Sequence, residues 1–188
     1  MHCAIKRIVL VGIVALLASA AAGQNAGPVM LVRPQPGKAL TPLELASVDT
    51  QVRIVGRVAE TSTTMTFSNP HNRVLEGEMY FPLPQGATVS GYALDIKGKM
   101  VDGVAIEKHR GREVFEKIVR QGIDPGLVEW AKGNNFKTRV FPIPAGGSRT
   151  IRVSYVSEIT GPLGKQTYHL PLGYKQKVAK FALRVEVV

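Results

Sequence analysis

A chain of 188 residues suits one core with accessory segments, or at most two small domains, and 45% apolar residues are enough to fill that core. The formal charge of +10 favours anionic polysaccharide, lipid headgroups or an acidic protein face as partners. The basic residues are spread along the chain, however, and a solvated surface accounts for them as well.

The first 22 residues follow the order of an export signal: Lys6 and Arg7, an apolar run from Ile8 to Ala18, then small residues with Ala20 and Ala22 placed for cleavage after Ala22. The run is short for a span of about 20 residues, so an uncleaved anchor is the alternative and no transmembrane span is expected after cleavage. The single cysteine, Cys3, leaves with this segment, which removes disulfides, thiolate metal sites and a Cys nucleophile from the mature chain. A disulfide-free exported domain fits bacterial export, to the periplasm, the cell surface or the medium.

Residues 23–42, "GQNAGPVMLVRPQPGKALTP", hold four prolines and three glycines without a sustained period and read as a linker. From Leu43 the pattern is that of strands. In "SVDTQVRIVGRV", Val48, Val52 and Ile54 share one parity, and Asp49, Gln51 and Arg53 the other. "TSTTMTFSNP" is rich in β-branched residues and stops at the turn pair Asn69-Pro70. "RVLEGEMYFPLP" sets Leu75, Met79 and Phe81 against Glu76, Glu78 and Tyr80, so these stretches read as successive antiparallel strands. "SGYALDIKGKMVDGVAI" reads as two strands joined by Lys97-Gly98, with Gly98 at positive φ.

One stretch reads as a helix, at about 107–121. Val114, Phe115, Ile118 and Val119 form an apolar stripe, and Arg112–Glu116, Glu113–Lys117 and Glu116–Arg120 are i,i+4 charge pairs. Gly122 sits where a C-cap needs a left-handed residue, and Asp124-Pro125-Gly126 suits a tight turn. "NNFKTRVFPIP" and "SRTIRVSYVSEI" then read as a strand pair around Ala145-Gly146-Gly147. "FPLPQG" at 81–86 echoes "FPIPAG" at 141–146; each proline marks a strand that leaves its sheet or lies at an edge. The final "AKFALRVEVV" alternates Phe181, Leu183, Val185 and Val187 with Lys180, Arg184 and Glu186.

These elements predict a mainly β fold, an antiparallel β-sandwich-like domain with one inserted α-helix. The expected organisation is a signal peptide at 1–22, the linker at 23–42, the β domain at 43–160 and the truncated start of a following β segment at 161–188.

Motifs for chemistry are few. His2, His71, His109 and His169 show no ligand spacing, and no G-x-S-x-G, phosphate loop or H-E-x-x-H occurs, so no metal, cofactor or catalytic residue is assigned. Glu76 and Glu78 share one strand face about 7 Å apart, a spacing compatible with paired-carboxylate chemistry, though on the polar face two solvated charges are the simpler account. Trp130, Tyr92, Tyr155 and Phe136 fit a stacking platform or, more simply, core and cross-strand pairs. Nucleic acid is disfavoured by the export signal.

Three ordered pieces, "VRIVGRVAETSTTMTFSNPHNRVLEGEMYFPLPQGATVSGY", "REVFEKIVRQGIDPGLVEW" and "NNFKTRVFPIPAGGSRTIRVSYV", resemble the VIT domain of vault protein and inter-alpha-trypsin inhibitor heavy chains, from Leu43 to Ile159. The resemblance implies a mainly β module with one helix, set before a von Willebrand factor A domain in secreted or surface proteins, and acting in interactions without catalysis. The Asp-x-Ser-x-Ser motif of the A domain is absent from this chain, so metal-dependent adhesion is not carried over. In this frame Gly122, Asp124, Pro125 and Gly126 form a joint that ends the helix and lays Val114, Phe115 and Ile118 on the strands. The expected function is a non-enzymatic interaction module, whose partner is a protein or a downstream domain of the same chain. A domain that binds or acts on anionic matrix or envelope polymer, with Trp130 as candidate ligand surface, is the alternative, and a spacer that orients a downstream domain is a third.

Overall fold

Period-two alternation does most of the building. The structure, a computed structural model, describes residues 27–35, 37–103, 128–131, 135–162 and 165–188. Among them are the strands β1 (Val29–Val32), β2 (Thr41–Pro42), β3 (Glu44–Val55), β4 (Val58–Ser68), β5 (Leu75–Pro82), β6 (Thr88–Ile96), β7 (Lys99–Asp102), β8 (Val128–Ala131), β9 (Asn135–Ile143), β10 (Ser148–Glu158) and β11 (Lys180–Val187). They form a five-stranded sheet, in the order β2-β1-β5-β9-β8, and a six-stranded sheet, in the order β11-β3-β4-β10-β6-β7.

The chain is therefore mainly β, as the alternation predicts. Each buried parity matches the sequence: Leu75, Met79 and Phe81 face inward on β5, and Ile151, Val153 and Tyr155 on β10. Inward side chains of both sheets build one hydrophobic cluster, in which the Phe81 ring meets Tyr155 at 6.2 Å and Tyr92 meets Phe136 at 5.7 Å. Truncating a fully buried member such as Phe67 to alanine costs about 3–5 kcal/mol.

Several expectations need correction. Pairing is antiparallel throughout the five-stranded sheet, but β11 runs parallel to β3, so the six-stranded sheet is mixed. β3 and β4 form a hairpin, whereas β4 and β5 lie in different sheets: the turn at Asn69-Pro70 changes sheets and does not close a hairpin. β9 and β10 are not partners either, since β9 pairs with β5 and β8, and β10 with β4 and β6.

The Phe-Pro-x-Pro echo explains that outcome. At both sites the chain leaves the five-stranded sheet and enters the six-stranded one, because prolines cannot donate to a continued ladder. Each site then makes the same turn: Ala87 N–H donates to Pro84 O at 3.1 Å, and Gly147 N–H donates to Pro144 O at 3.2 Å. Gly86 (φ 76°) and Gly146 (φ 58°) stand at the third position, where positive φ favours glycine.

The stretch expected to be a linker contributes β1, whose Met30 and Val32 are fully buried. Its apolar quartet is long enough to pair with β5 from Val29 opposite Tyr80 to Val32 opposite Gly77. In the 161–188 region, β11 joins the sheet of the preceding strands and does not start a separate one. The helix expected at about 107–121, the joint at Gly122, Asp124, Pro125 and Gly126, and the residues 1–22 lie outside the described residues.

Candidate interaction face on the five-stranded sheet

β5 is central to its sheet and presents Glu76, Glu78 and Tyr80 outward, because the opposite parity is committed to the core. The neighbouring β9 sets cations against them. Glu78 lies opposite Arg139 and diagonal to Lys137, whose Nζ reaches Glu78 Oε2 at 2.9 Å; Tyr80 O–H also donates to Glu78 Oε2 at 2.9 Å. Arg139 reaches Glu76 at 4.0 Å. The hydrogen bond from Lys137 holds the Glu78 carboxyl below its ordinary range, against the opposing effect of partial burial. Lys137 is held above its ordinary range, by Tyr80 and then by Glu78, and its Nζ lies 5.0 Å from the Tyr80 ring centre.

The two glutamates thus share an outer face, as their alternation requires, and each is committed to its own cation. This is a cross-strand charge ladder. Beside it an open groove of about 520 Å³ is lined by Arg33, Arg73 and Arg139, by Glu76 and Glu78, and by the apolar Leu31, Leu40, Val74 and Leu75. Three guanidinium groups against two carboxylates, with apolar side chains in the same lining, suit an acidic or amphipathic surface.

The aromatic platform is not assembled. Tyr92, Tyr155 and Phe136 are buried in the core, since all three fall on inward parities. Burial is the first cause pushing the Tyr155 phenol up, with a hydrogen bond to Tyr168 adding to it. Trp130 belongs to β8, paired opposite Phe136. Among the described residues no group of three His, Cys, Asp or Glu side chains is placed to hold a metal.

Two buried polar residues went unnoticed in the sequence. Asn69, 1% exposed, ties the sheet-changing turns together: Nδ2 donates to Arg73 O at 2.9 Å, Pro144 O at 2.8 Å and Ile143 O at 3.3 Å, while Oδ1 accepts from His71 N–H at 3.0 Å. Arg149 donates to Asp95 O on β6 and to Pro142 O on β9, and so links the two sheets. Its inward position, two residues before Ile151, was a readable signal. For Asn69 the only signal was an asparagine before a proline, which marks a turn without saying what the side chain holds.

The chain matches the family described as Vault protein inter-alpha-trypsin domain over residues 45–155. Curated proteins give the same result. It is 29% identical over 180 residues to inter-alpha-trypsin inhibitor heavy chain H3 of Bos taurus, covering 93% of this chain and 20% of that protein. It is 28% identical over 119 residues to protein mono-ADP-ribosyltransferase PARP4 of Mus musculus, covering 63% and 6%. With von Willebrand factor A domain-containing protein 5A of Homo sapiens it shares 26% over 120 residues, covering 63% and 15%. The chain spans a fifth or less of the length of these relatives. Because the family match covers more than half of the residues, from β3 through most of β10, the chain belongs to the vault protein inter-alpha-trypsin (VIT) domain family.

Proposed function

We propose that the chain is a non-catalytic protein-interaction and scaffold module of an exported or cell-surface protein, set ahead of a von Willebrand factor A domain. The observation that carries this reading is the family match over 45–155, with relatives whose names include the A domain. The groove beside the Glu76–Arg139 and Glu78–Lys137 ladder is the surface assigned to the partner. Export rests on the signal-like order of residues 1–22.

In this reading the two sheets and the 107–121 helix make a β-sandwich-like module. Val114, Phe115 and Ile118 pack on a sheet, and Gly122 with Asp124-Pro125-Gly126 ends the helix. The test begins with the gene past Val188, where an Asp-x-Ser-x-Ser motif supports the proposal and a hydrolase signature overturns it. Calorimetric titration of the separately expressed downstream domain into this chain then checks contact. Arg73→Glu with Arg139→Glu abolishes binding if the groove is used, and unchanged binding removes the groove from the reading.

The three arginines that line the groove favour a second reading, an anionic polysaccharide as ligand. A sulfated polysaccharide then retards the chain in a native gel at low salt, and the retardation is lost at high salt and on Arg73→Glu; loss on Trp130→Ala adds the tryptophan to the contact.

A further inference from the structure

The edges of a sheet are open templates for another strand, and proteins usually keep them short or blunted. Among the described residues β2 has two residues and ends in Pro42, and β7 and β8 have four each. β11 has eight, without a proline and without a register shift against β3, and it is last in its sheet. Its far edge is therefore a long, regular row of backbone donors and acceptors.

The side chains favour one occupant. Phe181 lies beside Val48, Val185 beside Val52 and Val187 beside Ile54, so the apolar inner face of the sheet continues onto β11. Among the described residues it stays largely open there: Phe181, Leu183, Val185 and Val187 are 43–74% exposed, with Phe181 met on one side by the Tyr174 ring at 6.1 Å. Lys180, Arg184 and Glu186 take the other face.

A strand pairing with its own copy in antiparallel fashion keeps like faces together in alternate registers only, since a one-residue slip turns the faces over. Four such registers pair five or more residues of β11; centring on Val185 sets Arg184 opposite Glu186 twice but pairs five residues only, against seven when the centre is Leu183. Centring on Ala182 sets Lys180 opposite Arg184 twice, and centring on Arg184 sets that residue opposite itself; both place like charges together. Centring on Leu183 sets Lys180 opposite Glu186 twice, Phe181 opposite Val185 twice and Leu183 opposite Leu183. Glu186 already faces Arg53 at 4.0 Å, so this register extends an alternating ladder of Arg53, Glu186 and Lys180 of the second copy.

We propose that β11 pairs antiparallel with β11 of a second copy of this chain, Leu183 opposite Leu183, joining two six-stranded sheets edge to edge. Sedimentation equilibrium of the purified chain then shows a reversible monomer–dimer equilibrium, and amide exchange within 180–187 slows as concentration rises. Lys180→Glu and Glu186→Lys, each alone, weaken dimerisation by about tenfold, because two symmetric contacts turn repulsive. An equimolar mixture of the two variants restores it, since every facing pair is again of opposite sign. A wild-type chain that stays monomeric with concentration-independent exchange overturns the proposal. So do single variants that dimerise like wild type, or a mixture that fails to recover while circular dichroism shows both variants folded.

Discussion

Asn69 offers the sharpest test of how the two sheets are held at their crossings. One side chain engages three carbonyls, those of Arg73, Ile143 and Pro144, and one amide, that of His71. Because Nδ2 has two hydrogens, two of its contacts, at 2.9 and 2.8 Å, are full bonds and the third, at 3.3 Å, is shared. With the bond from His71, Asn69→Ala loses about three hydrogen bonds worth about 1 kcal/mol each, roughly 3 kcal/mol in all. For a chain of this size that lowers the melting temperature by about 6–12 °C. Asn69→Asp keeps the shape and the bond from His71, but aims a carboxylate at carbonyl oxygens. At neutral pH it is therefore less stable than the alanine variant. The buried carboxyl titrates above its unfolded value of about 3.9, so the protonated form is favoured on folding. Its stability relative to wild type is highest below that value and is lost as pH rises through the folded pKa. Thermal melts of the three proteins from pH 3 to 7 check this. An aspartate variant as stable as wild type at pH 7, or an alanine variant within about 2 °C of wild type, refutes the clasp.

Three further outcomes follow from the core and the outer face. A Cβ added at Gly77 meets Met30 Sδ at 2.5 Å and Ile143 Cδ1 at 2.9 Å; overpacking of about 1–3 kcal/mol outweighs the backbone gain of about 0.4–1, so Gly77→Ala is destabilised in urea titrations. Glu78 has a depressed pKa, so its contribution is present above the unfolded carboxylate range and lost as pH falls through the folded value; the melting-temperature deficit of Glu78→Gln closes in acid and persists at neutral pH. Arg149→Lys keeps the buried charge but loses the fork that reaches Asp95 O and Pro142 O together, and costs about 2 kcal/mol in denaturant unfolding; an unchanged midpoint removes the bridge.

Local pattern was legible where local physics decides. Alternation placed Leu75, Met79, Phe81 and Tyr155 inside, and the Lys97-Gly98 turn adopts positive φ at both residues, 55° and 81°. Neighbourhood was not legible, because a strand's parity names its inner face and not its partner. For that reason β9 and β10 read as a hairpin, and β11 as the start of something new, although its register is set by Ser47 and its neighbours far upstream. β1 was hidden by the prolines around a quartet too short to show a period. In the candidate site, Glu76 and Glu78 were found on the correct face, but their cations come from β9, distant in sequence. Asn69 escaped because its partners lie across a crossing that only the folded chain brings together.

The parallel docking of β11 on β3 also orders events in time. Contacts so remote along the chain carry a loop-closure cost that local hairpins such as β3–β4 do not, so the expected order places β11 after them. A polypeptide lacking β11 would present to the surroundings the side of β3 that β11 covers from Ser47 to Ile54. β11 therefore shields that side of β3 and takes the role of edge strand on itself.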